Sequence, residues 1–258
     1  SQNSDLIVLA ARPGMGKTSF ALNIALNAAK KSEATVMIFS LEMPEIQLTQ
    51  RLLSTQSSVS LERIRSGKAF NDTAERRRVE EAAEELSKTK IRIVDAVSGI
   101  SIGEIKNKCR RMKSKEGLDL IIVDYLQLMH LTGGAASELR PDSRAQEIAI
   151  LTRMMKQLAG EMDCPVILLS QLSRNVEGRR EPRPVLSDLR ESGAIEQDAD
   201  IVMFIYNENK NEEDDDGYRE LLLEKHRNGE TGKIKLTWMG LYTKFSSASF
   251  TKEEDLPF

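Results

Sequence analysis

Cysteine and histidine are scarce in this chain of 258 residues, two of each. Cys109 and Cys164 lie far apart, no CxxC occurs, and no histidine stands at a metal-ligand spacing, which excludes a disulfide framework and a zinc module. Both thiols are expected to be reduced and structural. Long apolar runs are also missing. The longest, near Leu118–Leu126, is broken by Asp119 and Asp124, well short of the roughly 18 residues that a membrane-spanning helix needs. The first residues, Ser1-Gln2-Asn3-Ser4-Asp5, hold no basic stretch followed by an apolar one, so no secretion signal is read there and a cytoplasmic location without a membrane partner is expected. An excess of basic charge is absent too: 37 Lys+Arg stand against 40 Asp+Glu, a net charge of -3, so no global positive field points to nucleic acid. What the chain does have is 40% apolar and 30% charged residues, with a mean hydropathy of -0.38. That excludes disorder over the whole length, and the length suits one large α/β domain.

Charge is patterned locally. Arg174–Arg190 carries Arg174, Arg179, Arg180, Arg183 and Arg190 against Glu177, Glu181 and Asp188, a net positive stretch with two prolines. Glu208–Asp216 reverses the sign, with six carboxylates against Lys210 before Gly217, and reads as a solvated loop.

Hydrophobic spacing predicts a βαβ unit at the start: strand Asp5–Ala10, helix Gly16–Lys31 and strand Thr35–Ser40. Helices are predicted over Glu45–Gln56, Leu61–Arg65 and Asp72–Ser87, then a strand at Ile91–Val94 and a helix at Ile102–Lys115. A buried strand at Asp119–Asp124, a long helix at Ser143–Met162 and a strand at Pro165–Ser170 follow. Four more strands, Ala199–Tyr206, Arg219–His226, Lys233–Trp238 and Tyr242–Ser246, close the chain with little helix between them. The expected fold is a mostly parallel sheet flanked by helices and extended by C-terminal antiparallel strands.

Between the first strand and helix lies Ala11-Arg12-Pro13-Gly14-Met15-Gly16-Lys17-Thr18, which matches the G-x-x-x-x-G-K-[ST] phosphate loop with alanine in place of its first glycine. A phosphate cradle needs inward-facing backbone N–H groups, glycine where the backbone approaches the oxygens, and a helix N-terminus. Lys17 would reach the β- and γ-phosphates of a nucleotide and Thr18 would ligate Mg²⁺. Residues Arg12 to Ser19 form the nucleotide-binding set: Arg12, Pro13, Gly14, Met15, Gly16, Lys17, Thr18 and Ser19. Asp124, closing the run Leu120-Ile121-Ile122-Val123, stands where a Walker B carboxylate would complete the magnesium shell. Residue 125 is tyrosine, so a base for water attack must come from elsewhere. Glu42, two residues past Ser40, is the candidate, although the same carboxylate also suits the start of the next helix. Lys17, Glu42, Asp124 and Gln171 are expected to converge beyond the carboxyl ends of the strands.

The blocks Ala10–Asn23 (AARPGMGKTSFALN), Phe39–Met43 (FSLEM), Leu120–Met129 (LIIVDYLQLM), Ser170–Arg174 (SQLSR), Ser187–Asp200 (SDLRESGAIEQDAD) and Glu224–Gly229 (EKHRNG), in this order, resemble the DnaB-type replicative helicases. The likeness covers residues 1–258 and corresponds to the RecA-like motor domain, a P-loop ATPase, of that family; the family's N-terminal helical domain and most of its linker have no counterpart here. The abrupt start, with a strand within about five residues of Ser1 and the phosphate loop at once after it, suits an excised domain of a longer protein, a short natural N-terminus being the alternative. Gly14 stands where many relatives carry serine, and Pro44 where serine is common; neither change removes a catalytic group.

The resemblance implies ATP as substrate and Mg²⁺ as cofactor, with Glu42 as catalytic base and Gln171 as a γ-phosphate sensor. Arg227, with Lys225, would be an arginine finger acting on the neighbouring subunit's nucleotide. It implies a homo-hexameric ring that moves 5′ to 3′ on single-stranded DNA, with a helicase loader and other replisome proteins as partners. Arg190, Glu191 and Gly193 would touch the DNA backbone, Thr132–Ser143 would be a second loop facing the channel, and Arg174, Arg179, Arg180 and Arg183 could serve a pore loop or simply solvated surface. No aromatic lies in Leu172–Gly193, so backbone tracking is expected there rather than base stacking. A RecA-like recombinase and a nucleotide switch or helicase loader are the alternative readings.

Overall fold

The computed structural model describes residues 2–129, 131, 141–172, 183–189, 193–208 and 217–247. Nine strands form one sheet: β1 (Leu6–Ala11), β2 (Val36–Ser40), β3 (Ile91–Asp95), β4 (Leu120–Asp124), β5 (Val166–Gln171), β6 (Ile201–Tyr206), β7 (Tyr218–His226), β8 (Gly232–Met239) and β9 (Lys244–Ser247). Their order across the sheet is β3-β2-β4-β5-β1-β6-β7-β8-β9. The first six in that row pair in parallel, and the last three add antiparallel to β6. The expected architecture of a mostly parallel sheet with a C-terminal antiparallel extension is the one observed.

Alternation along β1 explains the near-continuous apolar strands. Leu6, Val8 and Ala10 enter one core with α5 (Ile102–Glu116) and α6 (Arg144–Met162). Ile7, Leu9 and Ala11 enter a second core with α1 (Lys17–Lys31) and α2 (Glu45–Ser57). Both faces are covered, so every residue of β1, β2 and β4 is buried, as a parallel sheet requires. A small satellite cluster of Val59, Ile64, Ala69 and Val79 seats α3 (Leu61–Arg65) and α4 (Thr73–Ser87).

Local signals set the helix starts. Asp72 caps α4 through the backbone N–H groups of Ala74 and Glu75, Ser101 and Glu104 form a reciprocal capping box on α5, and Ser143 accepts from Gln146 N at the start of α6. One helix escapes the spacing analysis: α7 (Gly193–Asp198) is less than two turns long, too short for periodicity to register. Its Ile195 is fully buried in the first core. Tertiary hydrogen bonds lock the late strands onto the early helices. Asn23, buried on α1, donates to the Ser19 and Thr243 carbonyls and accepts from Phe245 N. Thr55 donates to the Tyr242 and Thr243 carbonyls. Cys109 and Cys164 are buried free thiols, and burial pushes the pKa of both up to about 12. No helix among the described residues is long and apolar enough to cross a membrane.

Candidate functional site

β1 and β5 run in register, Ala11 opposite Gln171, and β2 and β4 likewise, Ser40 opposite Asp124. β4 meets β5 with Val123 opposite Leu168, so β1 and β5 run two residues further than β2 and β4, and a cavity of about 310 Å³ opens beyond these stepped carboxyl ends. Arg12, Gly14, Gly16, Lys17, Thr18, Ser19, Glu42 and Gln171 are among its lining residues, with Pro13 at the loop. Met15 is the exception within the loop: it is absent from the lining and packs against the second core.

Glycine is required twice here. Gly14 and Gly16 have φ of 81° and 87°, left-handed values that cost other residues strain. At Gly16 space is also lacking, since a Cβ there would meet Phe245 Cζ at 3.0 Å and Trp238 at 3.4 Å. The loop thus rests on an aromatic stack in which Trp238 and Phe245 lie 4.5 Å apart and Phe20 meets Phe245 edge-on.

Asp124 sits at the floor, 1% exposed. Its Oδ2 accepts from Thr18 Oγ1 at 2.7 Å, and Lys17 Nζ lies 3.8 Å from Oδ1 and 4.4 Å above the Tyr125 ring. Burial lowers the Lys17 pKa, while the charges of Asp124 and Glu42 pull it back up. Asp124 Oδ1 is buried without a hydrogen-bond partner among the described residues, an unusual cost for a carboxylate oxygen unless a cation is to meet it. A hydroxyl and a carboxylate side by side are hard oxygen donors that suit Mg²⁺, which is commonly held by one or two protein groups plus phosphates and water. No cluster of three or more His, Cys, Asp or Glu that could hold a metal ion by itself exists among the described residues.

The turn carrying Glu42 is built by Ser40, fully buried at the end of β2. Its hydroxyl donates to the Met43 carbonyl and accepts from Met43 N, while Leu41 N donates to the Asp124 carbonyl. Glu42 is exposed at the cavity wall.

Arg51 is a functional candidate that sequence reasoning missed. It projects from α2 into the cavity wall, donates to Ser19 Oγ at 3.2 Å, and keeps a buried Nε without a hydrogen-bond partner among the described residues. Burial and then Arg65 lower its pKa against the pull of Asp124 and Glu42. An arginine on an amphipathic helix carries no sequence signal of its own; only the packing of α2 against α1 turns it toward the phosphate loop.

Lys225 and Arg227 lie elsewhere. Because β7 runs antiparallel to β6, its end pairs His226 with Ile201, at the opposite end of the sheet from Ala11. Arg227 N donates to the Asp200 carbonyl, and its guanidinium meets Asp200 Oδ1 at 3.2 Å and the Gln197 carbonyl at 3.4 Å. Lys225 donates to the Glu196 and Gln197 carbonyls at the end of α7. Asp200 also accepts from Lys156 Nζ and from Leu6 N. Burial pushes its carboxyl up, but these hydrogen bonds and the charges of Lys156 and Arg227 together hold it below the ordinary value.

Of the DNA-facing candidates, Arg190, Glu191, Arg174, Arg179 and Arg180 lie outside the described residues, as do most of Thr132–Ser143 and of the acidic run. Gly193 begins α7 with open space around it. Arg183 pairs with Glu220 at 3.1 Å and lies over the Tyr206 ring. An isolated bridge between Leu172 and Leu189 returns the chain beside the end of β5.

Comparison with known proteins bears on the family and the fold. The family model for the DnaB-like helicase C terminal domain matches residues 1–247. The chain is 43% identical to the replicative DNA helicase DnaC of Bacillus subtilis (strain 168) over 246 residues, 95% of this chain and 52% of that protein. It is 44% identical to the replicative DNA helicase DnaB of Geobacillus stearothermophilus, again over 95% of this chain and 52% of that protein. The chain therefore spans about half the length of the curated relatives it matches. Among solved structures, an isolated ATPase domain superposes with a TM-score of 0.88 at 35% identity, covering 96% of this chain and 86% of that one. A DnaB-like replicative helicase, solved with attention to its interactions with primase, gives the same TM-score and identity over 96% of this chain and 58% of that one. With its RecA-like sheet and phosphate-loop cavity, this chain belongs to the DnaB-like helicase C-terminal domain family.

Proposed function

We propose that this chain is the ATP-hydrolysing motor of a replicative DNA helicase, coupling hydrolysis to movement on single-stranded DNA as a hexameric ring. One observation carries the reading: Gly14, Gly16, Lys17, the Thr18–Asp124 pair, Glu42 and Gln171 line or floor one cavity beyond the carboxyl ends of four neighbouring strands. Backbone N–H groups of the loop and the start of α1 bind the phosphates, and Lys17 and Arg51 neutralise their charge from two sides. Thr18 and Asp124 would hold Mg²⁺, which when bound screens the β- and γ-oxygens. Glu42 accepts the proton of the attacking water. Gln171 reads the γ-phosphate from the end of β5.

Arg227 and Lys225 serve a neighbour's nucleotide, because their own phosphate loop lies at the other end of the sheet. A guanidinium delivered in trans contributes about 10³–10⁵ in rate to phosphoryl transfer, which ties hydrolysis to assembly. Arg190, Glu191 and Gly193 contact the DNA backbone. The Leu172–Leu189 bridge supports this reading, since it sets Leu189, the residue before Arg190, beside the end of β5. A helicase loader and replisome proteins such as primase are the proposed partners, in the cytoplasm. Steady-state ATP hydrolysis across protein concentration, with and without single-stranded DNA, tests the reading. Turnover rising more than linearly with concentration and stimulated by DNA is expected; strictly proportional, DNA-indifferent turnover that Arg227→Ala leaves intact refutes it.

A further inference from the structure

Two residues past the Walker B position, the chain makes a single 3-10 turn, Leu126–Leu128, pinned by Leu126 and Met129, both fully buried. Gln127, in the middle of that turn, is turned onto the end of the neighbouring strand. Its Nε2 donates to Ser170 Oγ at 2.8 Å and to the Gln171 carbonyl at 3.4 Å, and its Oε1 accepts from Gln171 N at 3.1 Å. The amide orientation follows from its partners, a carbonyl facing the NH₂ and an N–H facing the oxygen. One side chain therefore grips both backbone polar groups of Gln171. The Gln127 backbone is gripped in turn. Arg144, the first residue of α6, donates through one guanidinium nitrogen to the Gln127 and Met129 carbonyls, both at 2.9 Å. Arg144 also pairs with Glu147, whose Oε1 accepts from Leu131 N at 2.9 Å.

The consequence is a polar node with three arms. The first runs back three residues to Asp124, which is bonded to Thr18 and close to Lys17. The second is Gln171, which lines the nucleotide cavity and precedes the departure of the chain at Leu172. The third is Arg144, where the chain that leaves at Met129 and Leu131 returns to enter α6. Any displacement of the β4 or β5 end by a nucleotide must move both chain departures together, or break charge-assisted and reciprocal hydrogen bonds in a partly buried setting.

We propose that Gln127, with Arg144 behind it, is the positioning residue that makes affinity for single-stranded DNA depend on the nucleotide state. This rests on the motor reading above, in which the stretch after Leu172 that carries Arg190, Glu191 and Gly193 meets DNA. Gln127 is not among the residues lining the cavity, so its loss should spare nucleotide binding and sever the coupling.

The test is a thermodynamic one. Affinity for a fluorescent oligothymidine is measured by anisotropy with ADP and with a non-hydrolysable ATP analogue, and the ratio of the two dissociation constants reports the coupling. A ratio of about 5 to 150 is the usual span for coupled sites. Gln127→Ala is expected to bring the ratio toward one while affinity for a fluorescent ADP, measured without DNA, stays as in the unaltered chain. Gln127→Glu keeps an acceptor for Gln171 N and for the Ser170 hydroxyl but sets a carboxylate oxygen against the Gln171 carbonyl, and should fall between. Arg144→Gln leaves the Gln127 amide bonds in place and cuts the third arm; it should lower the ratio too, which keeps the test decisive should Gln127→Ala fold poorly. A ratio retained in folded Gln127→Ala, or retained in Arg144→Gln, overturns the proposal. A ratio of one in the unaltered chain overturns the motor reading, and this inference falls with it.

Discussion

Mixing two inactive variants is the sharpest test of where the arginine finger acts. Ile7 pairs with Ile201 and Ala11 with Ile205, and the Asp200 carbonyl that receives Arg227 N lies one residue further from the phosphate loop. Five strand positions at about 3.3 Å each separate the Arg227 backbone from the level of Ala11 by about 16 Å along the sheet. The arginine is half exposed and ion-paired to Asp200 at that far end. In-chain action on the same nucleotide is thus excluded by the register, so the finger role proposed for Arg227 requires a head-to-tail neighbour. Glu42→Gln leaves the finger intact and Arg227→Ala leaves Glu42 intact. Each alone should lose nearly all turnover. In an equal mixture that assembles at random, about one quarter of the heterologous interfaces join an intact Glu42 to an intact Arg227. Turnover of about one quarter of that of the unaltered chain is therefore expected if sites fire independently, and less if they fire in sequence. The assay is steady-state phosphate release after mixing, with light scattering confirming that both variants assemble. No recovery in mixed assemblies would refute the trans geometry.

Three other outcomes follow from the site. Gly16→Ala combines a left-handed φ with a Cβ 3.0 Å from Phe245 and should lower stability by about 1–3 kcal/mol, whereas Gly14→Ala, with open space around it, should cost less; thermal unfolding compares them. Lys17→Met removes an ammonium whose pKa burial has lowered, so the nucleotide-free chain should be no less stable, while loss of a charge-assisted phosphate contact of about 1.5–3 kcal/mol should weaken nucleotide affinity by about 10- to 150-fold in a fluorescent-ADP titration. Asp200 has a folded pKa below its unfolded one, so its contribution is fully present above about pH 4 and is lost as pH falls through the lower folded value. Asp200→Ala should cost about 2–3 kcal/mol at pH 7 in urea unfolding, moderated because Lys156 and Arg227 are partly solvated, and should flatten the acid limb of the stability profile; an unchanged acid limb would refute that assignment.

Sequence alone determined those features that depend on neighbours along the chain. Strand and helix periods are local, so β1, α1, β2, β4 and β5 were legible within a residue or two, and the Gly14–Thr18 loop declared itself because glycine, lysine and threonine must follow one another at the start of a helix. Capping is equally local: Asp72, Ser101 and Ser143 each bond the first turn that follows them. Only tertiary structure decided what meets across the sheet. The stepped ends of β1, β2, β4 and β5 are a matter of register, and register set Asp124 against Thr18 and Gln171 beside Gln127. Arg51 and Gln127 carry no periodic or motif signal, since any polar residue could stand on α2 or in a short turn; their meaning comes from the cavity wall and the strand end that packing brings within hydrogen-bond reach. The far placement of Arg227 follows from the antiparallel reversal after β6, which the run of late strands with little helix between them already implied; the register that sets His226 opposite Ile201 was decided only by packing across the sheet.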